Sequence, residues 1–238
     1  RMLAWCQAAL CVAMAWSAYA LTEWLPYWPL DSQVAADLWL QFQRDLLRCA
    51  IPVLPAAMLW GASFPLALAA AVGPDRDPAR TVGDLYAANT LGAIVGSLGA
   101  SLFLVVWIGS QHAQQLVIGI AAMSALVLLV EVRAWLAAGL VLAGAGLCAI
   151  SVNPLPGLLV AYGRNLTTQM GESKIIYVGE GWNASVAVSE RLNGVRNYHN
   201  AGKVQASSEP QDMRLQRMLG HLTTLVPDRA RNVLVIGC

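Results

Sequence analysis

The residues whose type and spacing could do chemistry are few, and they gather toward the end of the chain. Asn232-Val-Leu-Val-Ile236 is followed directly by Gly237. An uninterrupted apolar run of this length reads as a strand buried on both faces. A glycine at its end is the front of a loop that lets backbone amides approach a nucleotide, with a helix expected next. Gly237 is therefore a candidate cofactor-binding residue. Elsewhere the supply is thin. Cys6, Cys11, Cys49, Cys148 and Cys238 show no metal-ligand spacing. Four of them lie in or beside apolar segments, where cysteine packs as a small hydrophobe, so neither a metal nor a disulfide framework is expected. Asn89 and Thr90, inside an apolar segment, read as polar glue between helices. Asn165 and Asn183 each open an Asn-x-Ser/Thr sequon, which stays unused in a cytoplasmic module.

The elements that must position these residues differ sharply between the two halves. The 238 residues are 57% hydrophobic and 12% charged, against about a quarter charged in an ordinary soluble domain. Residues 1–152 hold six Arg, no Lys and eight acids, whereas residues 153–238 hold nine basic and six acidic residues. The change falls at Asn153-Pro154-Leu155-Pro156-Gly157, a helix-stopping run. Three regions follow: a transmembrane helical bundle over 1–152 with about five spans, a small β-strand domain over 153–209, and a linking helix plus the first strand of a Rossmann-like nucleotide-binding domain over 210–238. The formal net charge of +1 gives no electrostatic case for nucleic acid. Arg1 at the start and the glycine-ended strand at the finish read as a piece of a longer protein.

A span needs about 20 apolar residues. Met2–Leu21 is one, with Trp24, Tyr27 and Trp28 as an interfacial belt. Residues 33–48 mix Leu and Phe with Asp37, Arg44 and Asp45 and read as a separate amphipathic helix that lies on the membrane surface or caps the bundle. Residues 49–72 form the second span. Its Pro52, Pro55 and Pro65 require neighbours to satisfy the freed carbonyls, so it is expected to pack inside protein. Residues 85–108 form the third span, and Gly92, Gly96 and Gly99 make one side suitable for a close helix–helix seam, including one between two copies of the chain. A polar turn at 111–115 precedes spans at 116–130 and 134–152. No span carries a charge near its centre, which argues against ion-coupled transport.

Residues 174–207 read as a meander of antiparallel strands. Asn193-Gly194 suits a type I′ hairpin turn. Ser207 or Ser208 can cap the next helix, with Glu209 and Asp212 near its positive end. Met213, Leu215, Met218, Leu219 and Leu222 carry helical spacing to about Leu225.

Strand meander, helix, then Arg-Asn-Val-Leu-Val-Ile-Gly is an order that resembles the spermidine synthase family of aminopropyltransferases. Closest is the membrane-fused branch, in which spans related to the major facilitator fold precede the synthase-like domain. The residues that carry the resemblance are Gly61-Ala-Ser-Phe-Pro-Leu, then Val82-Gly-Asp-Leu-Tyr-Ala-Ala-Asn-Thr-Leu-Gly-Ala-Ile-Val-Gly-Ser-Leu, Asn200-Ala-Gly-Lys-Val-Gln-Ala-Ser and Met218-Leu-Gly-His-Leu. It covers most of the chain from about residue 50.

The resemblance implies a membrane-anchored transferase with decarboxylated S-adenosylmethionine as co-substrate and a small-molecule amine as acceptor. It implies a bacterial inner membrane and a cytoplasmic soluble domain, although the sparse Arg residues lean slightly toward the opposite orientation. Gln205 matches the glutamine that contacts the nucleoside in a Leu-Asp-Gly-x-x-Gln strand, Gly202 the glycine of that motif, and Gly237 the first glycine of the cofactor loop. Asn183 falls near the family's early glutamine. The catalytic aspartate is expected beyond Cys238, so no catalytic residue is assigned here and these residues alone are not expected to be active. The chain departs from the family at Ala201, which stands where the motif is acidic. It departs again at Leu215-Gln216-Arg217-Met218, where the family has Tyr-(His/Gln)-Glu-Met. Arg217 repels a cationic amine rather than pairing with it. Two other readings follow: an S-adenosylmethionine-binding, methyltransferase-like protein, and a transporter-like membrane protein with a non-catalytic soluble domain.

Overall fold

The computed structural model describes residues 1–28, 37–73, 77–226, 231, 232 and 234. Helices account for the first half. α1 (Met2–Tyr19) runs on through a π-helical turn at Ala20–Trp24 and a 3₁₀ turn at Leu25–Tyr27. α2 spans Leu38–Ala71. α3 (Pro78–Gly99) passes through a π-helical turn at Ala100–Leu104 into α4 (Val105–Glu131), and α5 (Trp135–Ile150) follows. Met2–Tyr27, Leu38–Ala71 and Pro78–Glu131 are long and apolar enough to cross a membrane, and Trp135–Ile150 is a shorter apolar helix. The 54 residues of Pro78–Glu131 exceed two crossings in length. They are broken at Gly109, whose φ of 78° and ψ of 165° leave the helical region.

Four expectations from the sequence are corrected here. Residues 33–48 do not form a helix of their own; from Leu38 they belong to the same 34-residue helix as the second span. Its start is fixed by Asp37, whose carboxylate accepts from Trp39 N at 2.9 Å and Leu40 N at 3.3 Å. Nor is α2 enclosed among the described residues, where its buried residues are Pro52 and Ala56. At Pro55 a neighbour does supply the partner: Pro55 has no N–H for the Ile51 carbonyl, and the Trp16 indole donates to that carbonyl at 3.2 Å. Helix α3 starts before residue 85, at Pro78, behind Asp77, which accepts from Ala79 N at 3.0 Å. Finally, Gln111–Gln115 is helical rather than a turn. Gln111 and Gln115, one helical turn apart, donate to the Val152 carbonyl at 2.8 Å and the Ala149 carbonyl at 3.0 Å, closing the end of α5.

α1 is the hub of the bundle and packs on α2, α4 and α5. The contact is built mostly from small residues. Ala4, Cys11 and Ala18 of α1 are buried with Ile118, Ala121, Ala125 and Leu129 of α4 and Ala138 and Ala145 of α5. Small side chains bring helix axes close, where packing and polar contacts hold them together. The Cys11 thiol donates to the Ile118 carbonyl at 3.6 Å. Gly92, Gly96 and Gly99 of α3 face open space, so no helix among the described residues covers the glycine seam.

The second half is a four-stranded antiparallel sheet in the order β1 (Ser173–Glu180), β2 (Ser185–Arg191), β3 (Arg196–Asn200), β4 (Lys203–Ser207). α6 (Gly157–Tyr162) and a 3₁₀ turn at Gly163–Gln169 cover one face. α7 (Pro210–Leu225) follows β4. The hairpin between β2 and β3 falls where the sequence places it, but its turn differs in type. Gly194 alone has positive φ, 81°, and Gly194 N donates to the Arg191 carbonyl at 2.9 Å. That is a type I turn followed by a left-handed glycine. The residues with paired positive φ are Ala201 at 49° and Gly202 at 79°, between β3 and β4, as a type I′ turn requires.

The residue before α7 is Glu209 rather than Ser207 or Ser208, and its side chain makes no capping hydrogen bond; Pro210 takes the first helical position, while Ser207 accepts from Glu209 N at 3.3 Å and donates to the Asp212 carboxylate. Of the strand expected at 232–236, Asn232 and Leu234 are described; neither is in a strand, and Leu234 is 83% exposed. The remainder, with the candidate Gly237, lies outside the described residues.

Candidate functional site

Gln205 occupies a special backbone position. Tyr198 pairs with Ala206 and His199 with Val204, so Gln205 is the extra residue of a β-bulge in β4. A bulge re-aims a side chain out of the regular alternation and is common beside active sites. Gln205 is exposed and its side chain makes no hydrogen bond among the described residues. Three residues earlier, Gly202 meets two demands. Its φ is positive, and a Cβ there would lie 3.3 Å from Gly163 Cα and N, so a larger residue would push the 3₁₀ turn back by a few tenths of an ångström.

Asn183 is not brought to Gln205. It lies in the loop between β1 and β2, and β1 and β4 are opposite edges of the sheet. Three inter-strand steps of about 4.8 Å each separate them. The loop of Asn183 is committed elsewhere: the Trp182 indole donates to the Leu102 carbonyl at 3.2 Å, inside the π-helical turn. The adjacent Glu180 carboxylate accepts from Ser110 N at 2.8 Å and from the Ser110 hydroxyl. Because Gly109 breaks the helix, Ser110 begins a new one, and Glu180 acts as the cap that the local sequence lacks. The pairing of Glu180 and Ser110 carries no signal in the sequence, since 70 residues separate them.

Under the sheet lies a second arrangement that the sequence did not disclose. The Tyr162 hydroxyl lies 3.0 Å from Ser173 Oγ and 3.1 Å from Ser189 Oγ, and Ser189 Oγ lies 2.7 Å from His199 Nε2. The Tyr162 and His199 rings meet edge to face at 4.6 Å. His199 and Ser189 are fully buried, and His199 Nδ1 has no hydrogen-bond partner at standard geometry among the described residues. Burial pushes the His199 imidazole below the ordinary histidine range, with the Ala161 backbone as a smaller, opposing influence. The serine–histidine pair is buried, and through Tyr162 it ties α6 to the sheet. Strand alternation is the signal that could have found it: Ser189 and His199 occupy inward positions on β2 and β3.

The linking helix α7 buries none of its residues. Leu215, Met218, Leu219 and Leu222 form an apolar stripe that is exposed among the described residues. No family model, curated protein or solved structure matches this chain.

Proposed function

We propose that this chain is part of a membrane-anchored transferase of the spermidine synthase type, in which decarboxylated S-adenosylmethionine gives its aminopropyl group to an amine. The observation that carries the reading is the position of Gln205: an amide on a bulge, exposed, three residues after a glycine-dependent type I′ turn and just before a linking helix. Support also comes from the uncovered apolar stripe of α7, the kind of face that a following α/β domain buries. The helices of the first half serve as the anchor in a bacterial inner membrane, with the sheet on the cytoplasmic side. The uncovered glycine face of α3 suits a seam between two copies.

In such a reaction the amine lone pair forms the new C–N bond as the C–S bond breaks. The electron pair goes to sulfur, methylthioadenosine leaves as a neutral thioether, and the product ammonium gives its extra proton to a base. A sulfonium is already an electrophile, so the protein's part is to orient the donor and remove a proton. Gln205 would hold the nucleoside. Gly237 would begin the loop that admits the donor, and Asn183, fixed beside the membrane helix, would contribute only through movement of its loop.

One observation favours a second reading. Arg217 stands on α7 where the family holds its amine with a glutamate, which fits an S-adenosylmethionine-binding, methyltransferase-like protein better than a polyamine enzyme. Calorimetric titration of the full-length protein in detergent separates the two. Tighter binding of the decarboxylated donor, weakened about tenfold or more by Gln205→Ala, is the expected result. Preference for S-adenosylmethionine moves the assignment to the second reading. Binding of neither leaves the membrane helices as the functional part, transporter-like or structural.

A further inference from the structure

A cleft of about 520 Å³ opens between the 3₁₀ turn Gly163–Gln169 and the inner face of the sheet. Asn165, Thr168 and Gln169 line it from the turn, and Arg191, Asn197 and Lys203 from the strands. No carboxylate is among its lining residues. Two features mark it as built for a ligand. Asn197 shares the inward face of β3 with His199, is only 7% exposed, and its side chain makes no hydrogen bond among the described residues. The Asn197 amide is not among the fully buried unpartnered atoms, so its remaining accessible surface lies in the cleft, where it is free to bond a ligand. Lys203 has no ion-pair partner among the described residues, whereas Arg191 has Glu209 at 3.4 Å.

The lining selects the ligand by charge. A cation would meet Lys203 and Arg191 with no acid to hold it. A neutral polyol would leave Lys203 uncompensated. A phosphate offers acceptor oxygens to the ammonium, the guanidinium and the amide donors together. The place of the cleft narrows the source. The 3₁₀ turn rests on Leu25–Tyr27, where α1 ends, and Arg164 of the same turn pairs with Asp45 of α2 at 3.8 Å. Trp24 and Trp28, with ring centroids 5.1 Å apart, stand beside that end, and the Arg48 guanidinium lies 5.8 Å from the Trp28 ring centroid. Aromatic and basic residues at a helix end mark the headgroup level of a bilayer.

We propose that this cleft binds the phosphate of an anionic phospholipid headgroup. Gly202, three residues before Gln205, lines the cleft, but neither Gln205 nor Asn183 does, so donor binding and lipid binding are read by different substitutions. Full-length protein in a neutral detergent would be titrated with short-chain phosphatidylglycerol, short-chain phosphatidylcholine and inorganic phosphate, with binding read by native mass spectrometry and by the unfolding midpoint. Phosphatidylglycerol is expected to bind most tightly. Lys203→Gln, a change at an exposed residue, should weaken it about tenfold, and Asn197→Ala should weaken it while the ligand-free protein keeps its unfolding midpoint. Equal binding of both lipids, or phosphatidylglycerol binding unchanged by Lys203→Gln, overturns the proposal. If inorganic phosphate reproduces the whole effect with the same dependence on Lys203, the phosphate chemistry stands and the lipid source is overturned.

Discussion

The helical half and the sheet half solve opposite packing problems. In the bundle nearly every side chain is apolar on all sides, so apolarity cannot tell a helix which way to face. Contacts between α1, α4 and α5 depend on small residues such as Ala4, Ala125 and Ala138, and polar groups answer specific backbone vacancies. Trp16 serves the carbonyl freed by Pro55, and Gln111 and Gln115 close the end of α5. In the module a small apolar core of Val160, Ala161, Tyr162 and Ala187 lies between α6 and the sheet, while Trp182, Val204 and the α7 stripe stay exposed. There the specific information is a hydrogen-bonded core, Ser173–Tyr162–Ser189–His199. Where the solvent is lipid, shape and backbone satisfaction decide the fold. Where it is water, burial decides, and polar groups admitted to the core set its register.

Equal truncations on the two sides would break this contrast most clearly. Leu166→Ala in the module should cost about 2–5 kcal/mol, because both transfer from water and a cavity are involved. Ile118→Ala in the bundle, equally buried, should cost about 1–2 kcal/mol, since the separated helix remains in an apolar phase and packing alone is lost. Unfolding midpoints in mild detergent would test this, and equal losses would sink the distinction.

Acid should act on the module alone. The His199 imidazole is held below its ordinary value, so the folded state favours the neutral ring. Stability is full above the unfolded value of about 6.5. It falls as pH drops through that value toward the folded one, because the unfolded chain takes up the proton first. A midpoint series from pH 8 to 5 should show this loss in the wild type and a flatter profile in His199→Gln.

The joint between the halves carries a smaller term. Glu180→Ala removes the cap at Ser110 and should cost about 1 kcal/mol, read as faster amide exchange at residues 110–113 with the sheet unaffected. The smallest change should be a gain. Ala201 carries a φ of 49°, and Ala201→Asn, a residue that tolerates this region, should raise stability by about 0.5–1 kcal/mol, read as a higher unfolding midpoint.

How much of this was legible in the sequence follows the same division. Strand alternation put the meander over 174–207, and the strands lie at 173–180, 185–191, 196–200 and 203–207. Pattern was a poorer guide in the helices, because hydropathy reports membrane depth and says nothing of where a helix starts. Asp37, read as a polar position inside a surface helix, is the cap that begins α2, and Asp77 is the cap that begins α3 before residue 85. Gln111 and Gln115 looked like a turn because their acceptors on α5 are remote. The turn at Asn193-Gly194 was misassigned for a related reason: the dipeptide permits type I′, but loop length selects the turn. Of the candidate site, the exposure of Gln205 was readable from its place in a strand, and its bulge was not. A bulge depends on the register of two strands, which no single segment encodes. Gly237 lies outside the described residues.

The break at Gly109 sets an order of events during synthesis. Ser110 leaves the ribosome 70 residues before Glu180. At about 5–20 residues per second that is roughly 4–14 s. For that interval the Ser110 amide and hydroxyl lack the Glu180 carboxylate that answers them in the folded chain. The last step of building the membrane part is therefore performed by the part outside it.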